Sequence, residues 1–199
     1  FADVAQKSSP TMGMIELVAH KMLNTRYILF DQMDEPLPVS NPNGAGWVAT
    51  NWSFADSPDQ EIDAVAALRD SKAGVIHREF EMEMDGLSPG ANGGVDLVSY
   101  APDFLEYEVN IDKEALIVFS EMWYPAGWTV KVDGELVLPV RVNYVLRGLR
   151  VPSGLHEVVW EYQKSSSAGW SGLANLLLLL FIGGGFWMGR GMKSETSVN

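Results

Sequence analysis

The chain has no cysteine, only three histidines, and 14 lysines and arginines against 26 aspartates and glutamates. Without cysteine there is no disulfide scaffold, no cysteine-ligated zinc site and no thiol nucleophile. That absence suits an extracytoplasmic bacterial protein as well as a cytosolic one. The shortage of cations gives a net charge of −12. The stretch from Ser171 onward carries only Arg190, Lys193 and Glu195, net +1, so the body before it stands at −13. Such a body repels phosphate, which sets nucleic acid aside as a partner and argues against lying flat on anionic lipid. Catalytic signatures are missing too. There is no glycine-rich phosphate loop, no His-Glu-x-x-His and no Gly-x-Ser-x-Gly. The histidines are scattered, and in so acidic a chain no carboxylate pair stands out as acid and base. No catalytic residue, cofactor or metal is expected, and the chain alone does not read as an enzyme. Its start lacks the basic and apolar regions of a secretory leader.

What is present is an ordinary folding composition: 47% hydrophobic and 20% charged over 199 residues. That is enough for one good core, or a core plus a small subdomain. Met14, Ile15, Leu17, Val18 and Met22 recur at near-helical spacing behind Thr11, which predicts a short amphipathic helix over 12–23. His20 on it reads as a surface or half-packed residue. Arg26 to Phe30 reads as a short buried strand. In the Pro-rich loop after it, Asp31, Asp34 and Glu35 lack the spacing of a calcium loop and read as solvated. Gly46–Thr50 and Trp52–Phe54 read as extended, and Asn51-Trp52-Ser53 matches the glycosylation pattern no better than chance. Ser57, Pro58 and Gln60 form a strong helix start, with the helix running to about Asp70. His77 to Asp85 alternates, with Phe80, Met82 and Met84 on one side and Glu79, Glu81, Glu83 and Asp85 on the other. That predicts a half-buried strand whose acidic face either resists aggregation or meets a cation or basic partner. Residues 1–90 are thus expected to form a small α+β subdomain.

Glycines at 90, 93 and 94 mark the expected boundary. After it come seven short β runs: 95–101, 104–111, 115–121, 128–132, 135–140, 144–151 and 155–162. Turn residues separate them, and Asp133-Gly134 is the clearest hairpin signal. Residues 91–164 are therefore expected to be an antiparallel β-sandwich, immunoglobulin-like or jelly-roll. The chain as a whole is expected to be mainly β. Residues 165–169 read as a hinge. Trp170 to Trp187 holds no charge and includes Leu176 to Leu180, so 170–188 is expected to be a transmembrane helix, about 27 Å long, with interfacial tryptophans. Arg190 and Lys193 follow it. By charge bias residues 189–199 are a cytoplasmic tail, and residues 1–169 are extracytoplasmic.

Glu121 to Gly134 gathers Trp123, Tyr124 and Trp128 around Pro125-Ala126-Gly127. Aromatic rings at a turn stack on the C–H faces of sugars, while Glu121, Lys131, Asn143 and Arg147 offer partners for hydroxyls. The same rings serve equally to fill or cap a core. Tyr124, Trp123, Trp128 and Arg147 are the candidate ligand-binding residues.

From Ser120 to Trp128, and through Val132-Asp133-Gly134-Glu135, Asn143 to Gly148, Val151 to His156 and Trp160-Glu161-Tyr162, the chain resembles the C-terminal end of the YfhO-like bacterial membrane proteins. Met22 to Leu29, Asn41 to Val48, Ser57 to Glu61 and Tyr100 to Tyr107 extend the likeness over residues 20–190. The family often reads Tyr-Tyr-Pro-Gly-Trp at the aromatic turn; Ala126 lengthens it here. The resemblance implies a polytopic protein with a glycosyltransferase-like membrane region that uses lipid-linked sugars. In that family an extracytoplasmic domain and a last transmembrane helix follow. This chain would be that last part, in the bacterial cytoplasmic membrane, non-catalytic, its partners the rest of its own polytopic protein and a cell-envelope glycan acceptor that it positions or recognises. The alternatives are a membrane-anchored carbohydrate- or protein-binding module and a purely structural domain.

Overall fold

The computed structural model describes residues 18–29, 31 and 35–163, with Leu178 and Phe181 beyond them. The first turns of the helix expected over 12–23, Phe30, Asp34, the hinge over 165–169, and the tail over 189–199 lie outside the described residues. So does the apolar span over 170–188, apart from Leu178 and Phe181. Compactness divides the chain after Gln163, and the first unit carries all that follows.

The described residues are mainly β, in three sheets. In chain order the strands are β1 (Tyr27–Ile28), β2 (Leu37–Pro38), β3 (Gly46–Val48) and β4 (Trp52–Ala55), then helix α1 (Pro58–Ala67) and β5 (Gly74–His77). There follow β6 (Gly93–Ala101), β7 (Phe104–Ile111), β8 (Ala115–Met122), β9 (Trp128–Val132) and β10 (Glu135–Val137). Last come β11 (Val140–Val142), β12 (Leu146–Val151) and β13 (Gly154–Tyr162). β1 and β2 pair alone; a five-stranded sheet runs β10-β9-β13-β7-β6, and a six-stranded sheet runs β3-β8-β12-β11-β5-β4.

Side-chain period explains how the two larger sheets meet. In β7, Leu105, Tyr107, Val109 and Ile111 are buried while Glu106, Glu108 and Asn110 turn outward, the alternation of a sheet wet on one face. In β8 the run Ala-Leu-Ile-Val-Phe is apolar throughout, because both its faces are covered. Ala115, Ile117 and Phe119 join a core shared with β7, β9 and β13. Leu116 and Val118 join a second core on the far face, with Trp47, Ile76, Met84 and Met22. Phe119 meets Tyr107 and Trp160 edge-on, at 4.7 and 5.6 Å between ring centroids. The sheets thus share one core, an arrangement compatible with a β-sandwich.

Several local readings are corrected. Residues 1–90 do not stand apart, since β3, β4 and β5 complete the six-stranded sheet beside β8 and β11. The strand–helix–strand pattern is a crossover: β4 and β5 lie parallel, joined through α1, a link that parallel neighbours require. His77–Asp85 is not a strand. β5 ends at His77, and two 3-10 turns follow, Arg78–Phe80 and Met82–Met84. The His77 ring accepts the Glu79 N–H at 3.3 Å, and Arg78 holds both Asp56 and Glu81, which favours the compact turn. Phe80 and Met84 are four apart, a spacing that a strand and a helical turn both put on one side. Met82 between them is exposed, and that separates the two. The run 135–140 is two strands in different sheets, because Pro139 has no N–H to continue a ladder. β1 is not buried; Tyr27 and Leu29 face solvent.

The helix start at Ser57 forms as the sequence indicates. Ser57 Oγ accepts the Gln60 N–H at 3.3 Å, and Gln60 Oε1 accepts the Asp56 N–H at 3.1 Å. The next residue, Glu61, is fully buried. Its carboxylate takes Arg141 Nη2 at 2.8 Å and the Tyr144 N–H at 2.8 Å. Tyr144 and Asn143 both hold positive φ, 69° and 53°, so this contact fixes a turn that L-residues resist. Asn143 is buried beside it, its Oδ1 accepting the Val75 N–H at 2.7 Å and its Nδ2 donating to Ala73 O at 3.2 Å. One acidic and one amide side chain therefore bolt α1, β5 and the β11–β12 turn together.

At the other hairpin, Asp133 and Gly134 hold φ of 51° and 85°. Asp133 accepts the Glu157 N–H at 2.9 Å and the His156 Nδ1–H at 2.6 Å, while His156 Nε2 faces Ser153 O at 3.2 Å. A carboxylate beside one ring nitrogen and a carbonyl oxygen beside the other favour the protonated ring. The Asp133 carboxylate accordingly holds His156 above the ordinary histidine value, and His156 holds Asp133 below the carboxylate range.

Two outcomes are expected. Glu61→Ala strands Arg141 and the Tyr144 N–H and should cost about 3 kcal/mol in urea unfolding, with Glu61→Gln losing clearly less. The His156 contribution is complete below pH about 6.5 and is lost as pH rises through its raised folded value. The wild-type unfolding midpoint should therefore fall more steeply above pH 6.5 than that of His156→Gln, and parallel curves would contradict the pairing.

Candidate functional site

The aromatic turn is built by the end of β8 and the start of β9. The β8–β12 register runs Arg147 against Phe119, then Leu146 against Met122, so Ser120 and Glu121 bulge out of the ladder. Ser120 Oγ lies 2.9 Å from Met22 O and 2.6 Å from Gly44 O, which anchors the bulge. Beyond it Trp123 donates its N–H to Val145 O at 2.6 Å. Its ring meets Phe80 edge-on at 5.7 Å. Gly127 holds φ +84°, and a Cβ there would lie 2.6 Å from the Tyr162 ring, so only glycine fits. Gln163 donates its N–H to Gly127 O at 2.6 Å.

The four candidate residues part company. Arg147 is 4% exposed. Its guanidinium carbon stacks 4.2 Å from the Trp128 ring centroid and 5.0 Å from that of Trp160. Nε donates to Met122 O at 2.9 Å, while Nη1 is buried with no hydrogen-bond partner. Burial lowers the Arg147 value, with Glu121 acting against it; burial raises the Glu121 carboxyl, with Arg147 acting against it. Tyr107, on the same core face, is pushed up by burial. Trp128 is half-buried between Arg147 and the Tyr162 ring, 5.5 Å away. Trp123 is half-buried against Phe80. Tyr124 alone is open, 56% exposed, with Pro125 and Ala126 exposed after it.

The structure thus joins Trp128 to Arg147, keeps Trp123 on a separate contact, and leaves Tyr124 to solvent. No family model, characterised protein or solved structure matches the chain. Of the polar neighbours proposed from sequence, Asn143 and Arg147 are buried in the fold and Lys131 is paired with Glu161 at 2.7 Å. Among the described residues no group of three or more His, Cys, Asp or Glu is placed to hold a metal, and no helix is long and apolar enough to cross a membrane.

Sequence reasoning missed Glu61, which it passed over as part of the helix start. It gave no special place to Leu136 and Leu138, which are the exposed ones in a run read as a single strand. The proline between that run's two halves was the available signal.

Arg147→Ala should lower stability by about 2–3 kcal/mol, through the desolvated cation–π contacts, the carbonyl bond and the lost packing. Arg147→Lys should recover little of it, because an ammonium cannot stack as a plane. Urea midpoints within 0.5 kcal/mol of wild type would show that the stack carries no weight.

Proposed function

We propose that the chain is a non-catalytic, extracytoplasmic domain of a YfhO-like, membrane-embedded glycosyltransferase-like protein in the bacterial cytoplasmic membrane. Its two larger sheets would form a β-sandwich of the immunoglobulin-like or jelly-roll kind, and the apolar stretch over 170–188 a transmembrane helix. Its task would be to position or recognise a cell-envelope glycan acceptor through Tyr124.

One observation carries this reading. Gln163, from which the chain runs on toward the apolar stretch, donates its backbone N–H to Gly127 in the aromatic turn. The exposed Tyr124 therefore sits at the end of the domain from which that stretch departs. A lipid-linked sugar is the class of ligand that the resemblance implies for an open ring of this kind. The rings around Tyr124 are pinned by Phe80, Arg147 and Tyr162, so it rests on a rigid base.

Purified envelope polysaccharide titrated into the 199-residue chain tests the idea. Tyr124→Ala should weaken binding about tenfold, the worth of one stacked ring, and leave the unfolding midpoint unchanged because the ring is exposed. No binding by wild type, or undiminished binding by the variant, would remove the basis for a glycan role.

A further inference from the structure

Two asparagines in this chain precede a glycine, in Asn43-Gly44 and Asn92-Gly93. At such a pair the asparagine side chain is open to attack by the next backbone nitrogen, because glycine puts no side chain in the way. The fold treats the two pairs differently.

Asn43 is half-buried, and its amide is held at both ends. Nδ2 donates to Ser71 O at 2.6 Å, and Oδ1 accepts the Ser71 hydroxyl at 2.8 Å. Asn92 is exposed. Among the described residues its amide is tied at one end, where Nδ2 donates to Asp112 Oδ2 at 3.1 Å. The same carboxylate takes the Asn92 N–H on Oδ1 at 2.8 Å, and Asp112 donates its own N–H to Asn92 O at 3.0 Å. The Asn92 backbone and side-chain bonds keep the Asp112 carboxyl below its ordinary range. They also turn the Asn92 amide back along its own N–H, away from Gly93.

Gly93 completes the arrangement. No other residue fits there, since a Cβ would collide with Asn110 O and the Ile111 backbone. The rung between Asn92 and Asp112 is hydrogen-bonded, so in an antiparallel ladder the next one, Gly93 opposite Ile111, is not. The Gly93 N–H therefore turns away from β7, and β6 lies at the margin of its sheet. The attacking nitrogen is free, and the grip of Asp112 is what keeps the amide from it.

We propose that Asn92 is a deamidation site of the folded chain, that Asp112 sets its rate, and that the product unfastens the start of β6. The Gly93 nitrogen bonds to Asn92 Cγ, the Cγ–Nδ2 bond breaks, and ammonia leaves with the Gly93 proton. Water then opens the cyclic imide at either carbonyl, giving aspartate or isoaspartate. Nothing is oxidised or reduced. The new carboxylate replaces a donor that faced Asp112, and two like charges that close oppose each other. Ala91 and Val95 pack on the inter-sheet core from either side of this point, so loss of the clasp uncovers the end of that core. Lys113, whose Nζ donates to Pro89 O at 2.9 Å, then remains to hold the segment. The site is separate from the aromatic turn, and Tyr124→Ala should deamidate as wild type does.

The test holds the folded 199-residue chain at mildly alkaline pH and follows both asparagines by peptide mass spectrometry. Asn92 should convert while Asn43 stays intact, and in urea both should convert alike. Asp112→Ala removes a hydrogen bond to a charged acceptor and should speed the loss of Asn92 about fivefold, leaving Asn43 as it was. If Asn43 accelerates too, the variant has opened as a whole. Asp112→Asn, which keeps an oxygen for the Asn92 N–H, then replaces it with the same expectation. Asn92→Asp should unfold at lower urea concentration than wild type and exchange the backbone hydrogens of Gly94 and Val95 faster. An intact Asn92, or equal loss of Asn43 and Asn92 in the folded chain, would overturn the proposal. So would an unchanged Asn92 rate in both Asp112 variants, or an Asn92→Asp midpoint equal to that of wild type.

Discussion

A single buried cation sets the terms at one end of this protein. Arg147 leaves the six-stranded sheet and enters the space against the five-stranded one, where its charge is met by the faces of Trp128 and Trp160 and by one carbonyl oxygen. A guanidinium is planar and weakly hydrated, so ring faces are tolerable neighbours for it where they would not be for an ammonium. The solution constrains everything nearby. Trp128 must stay on the inner face of β9, so the turn before it must deliver the ring there. Gly127 must remain glycine so that Tyr162 can pack alongside. The bulge at Ser120 and Glu121 then aims Glu121 toward the same electrostatic neighbourhood. The aromatic turn is shaped first by the need to house this cation, and Tyr124 is the residue left over when that need is met.

A second polar knot does comparable work at a different place. Glu61 and Asn143 are both buried, and each satisfies backbone groups that no strand ladder reaches. Together they explain how a crossover helix and a left-handed turn of non-glycine residues hold the same geometry. Buried polar contacts of this kind specify one arrangement because any shift leaves a donor or acceptor unpaired. The apolar clusters bring the sheets together; Glu61 and Asn143 tie α1 and β5 to the β11–β12 turn.

Much of the strand pattern was legible in the sequence because most strands face water on one side. β7 announces itself through Leu105, Tyr107, Val109 and Ile111, and α1 through Ser57, Pro58 and Gln60. The failures have physical causes. Phe80 and Met84, four residues apart, fit two periods equally well, so a pair of tight turns passed for a strand. Leu138-Pro139 sits inside an apolar run, and run length alone does not reveal that the chain changes sheets there. The subdomain boundary failed because β3 pairs with β8 and β5 with β11, far along the chain, and non-local pairing leaves no local mark. At the candidate site the ring types and the turn were readable. Which ring faced solvent was not, since that depended on Arg147 occupying the core between two tryptophans.

The last described strand, β13, is not at a margin of its sheet but in the middle, with β7 on one side and β9 on the other. The chain leaves the domain directly from it, through Gln163 and the lock on Gly127. Tension applied to the following residues would not peel this strand away one hydrogen bond at a time. It would load two ladders in shear at once, along their length. Whatever the continuing chain is tethered to, the domain is built to withstand a pull from that end. A pull on either margin of the same sheet, at β10 or at β6, would meet only one ladder.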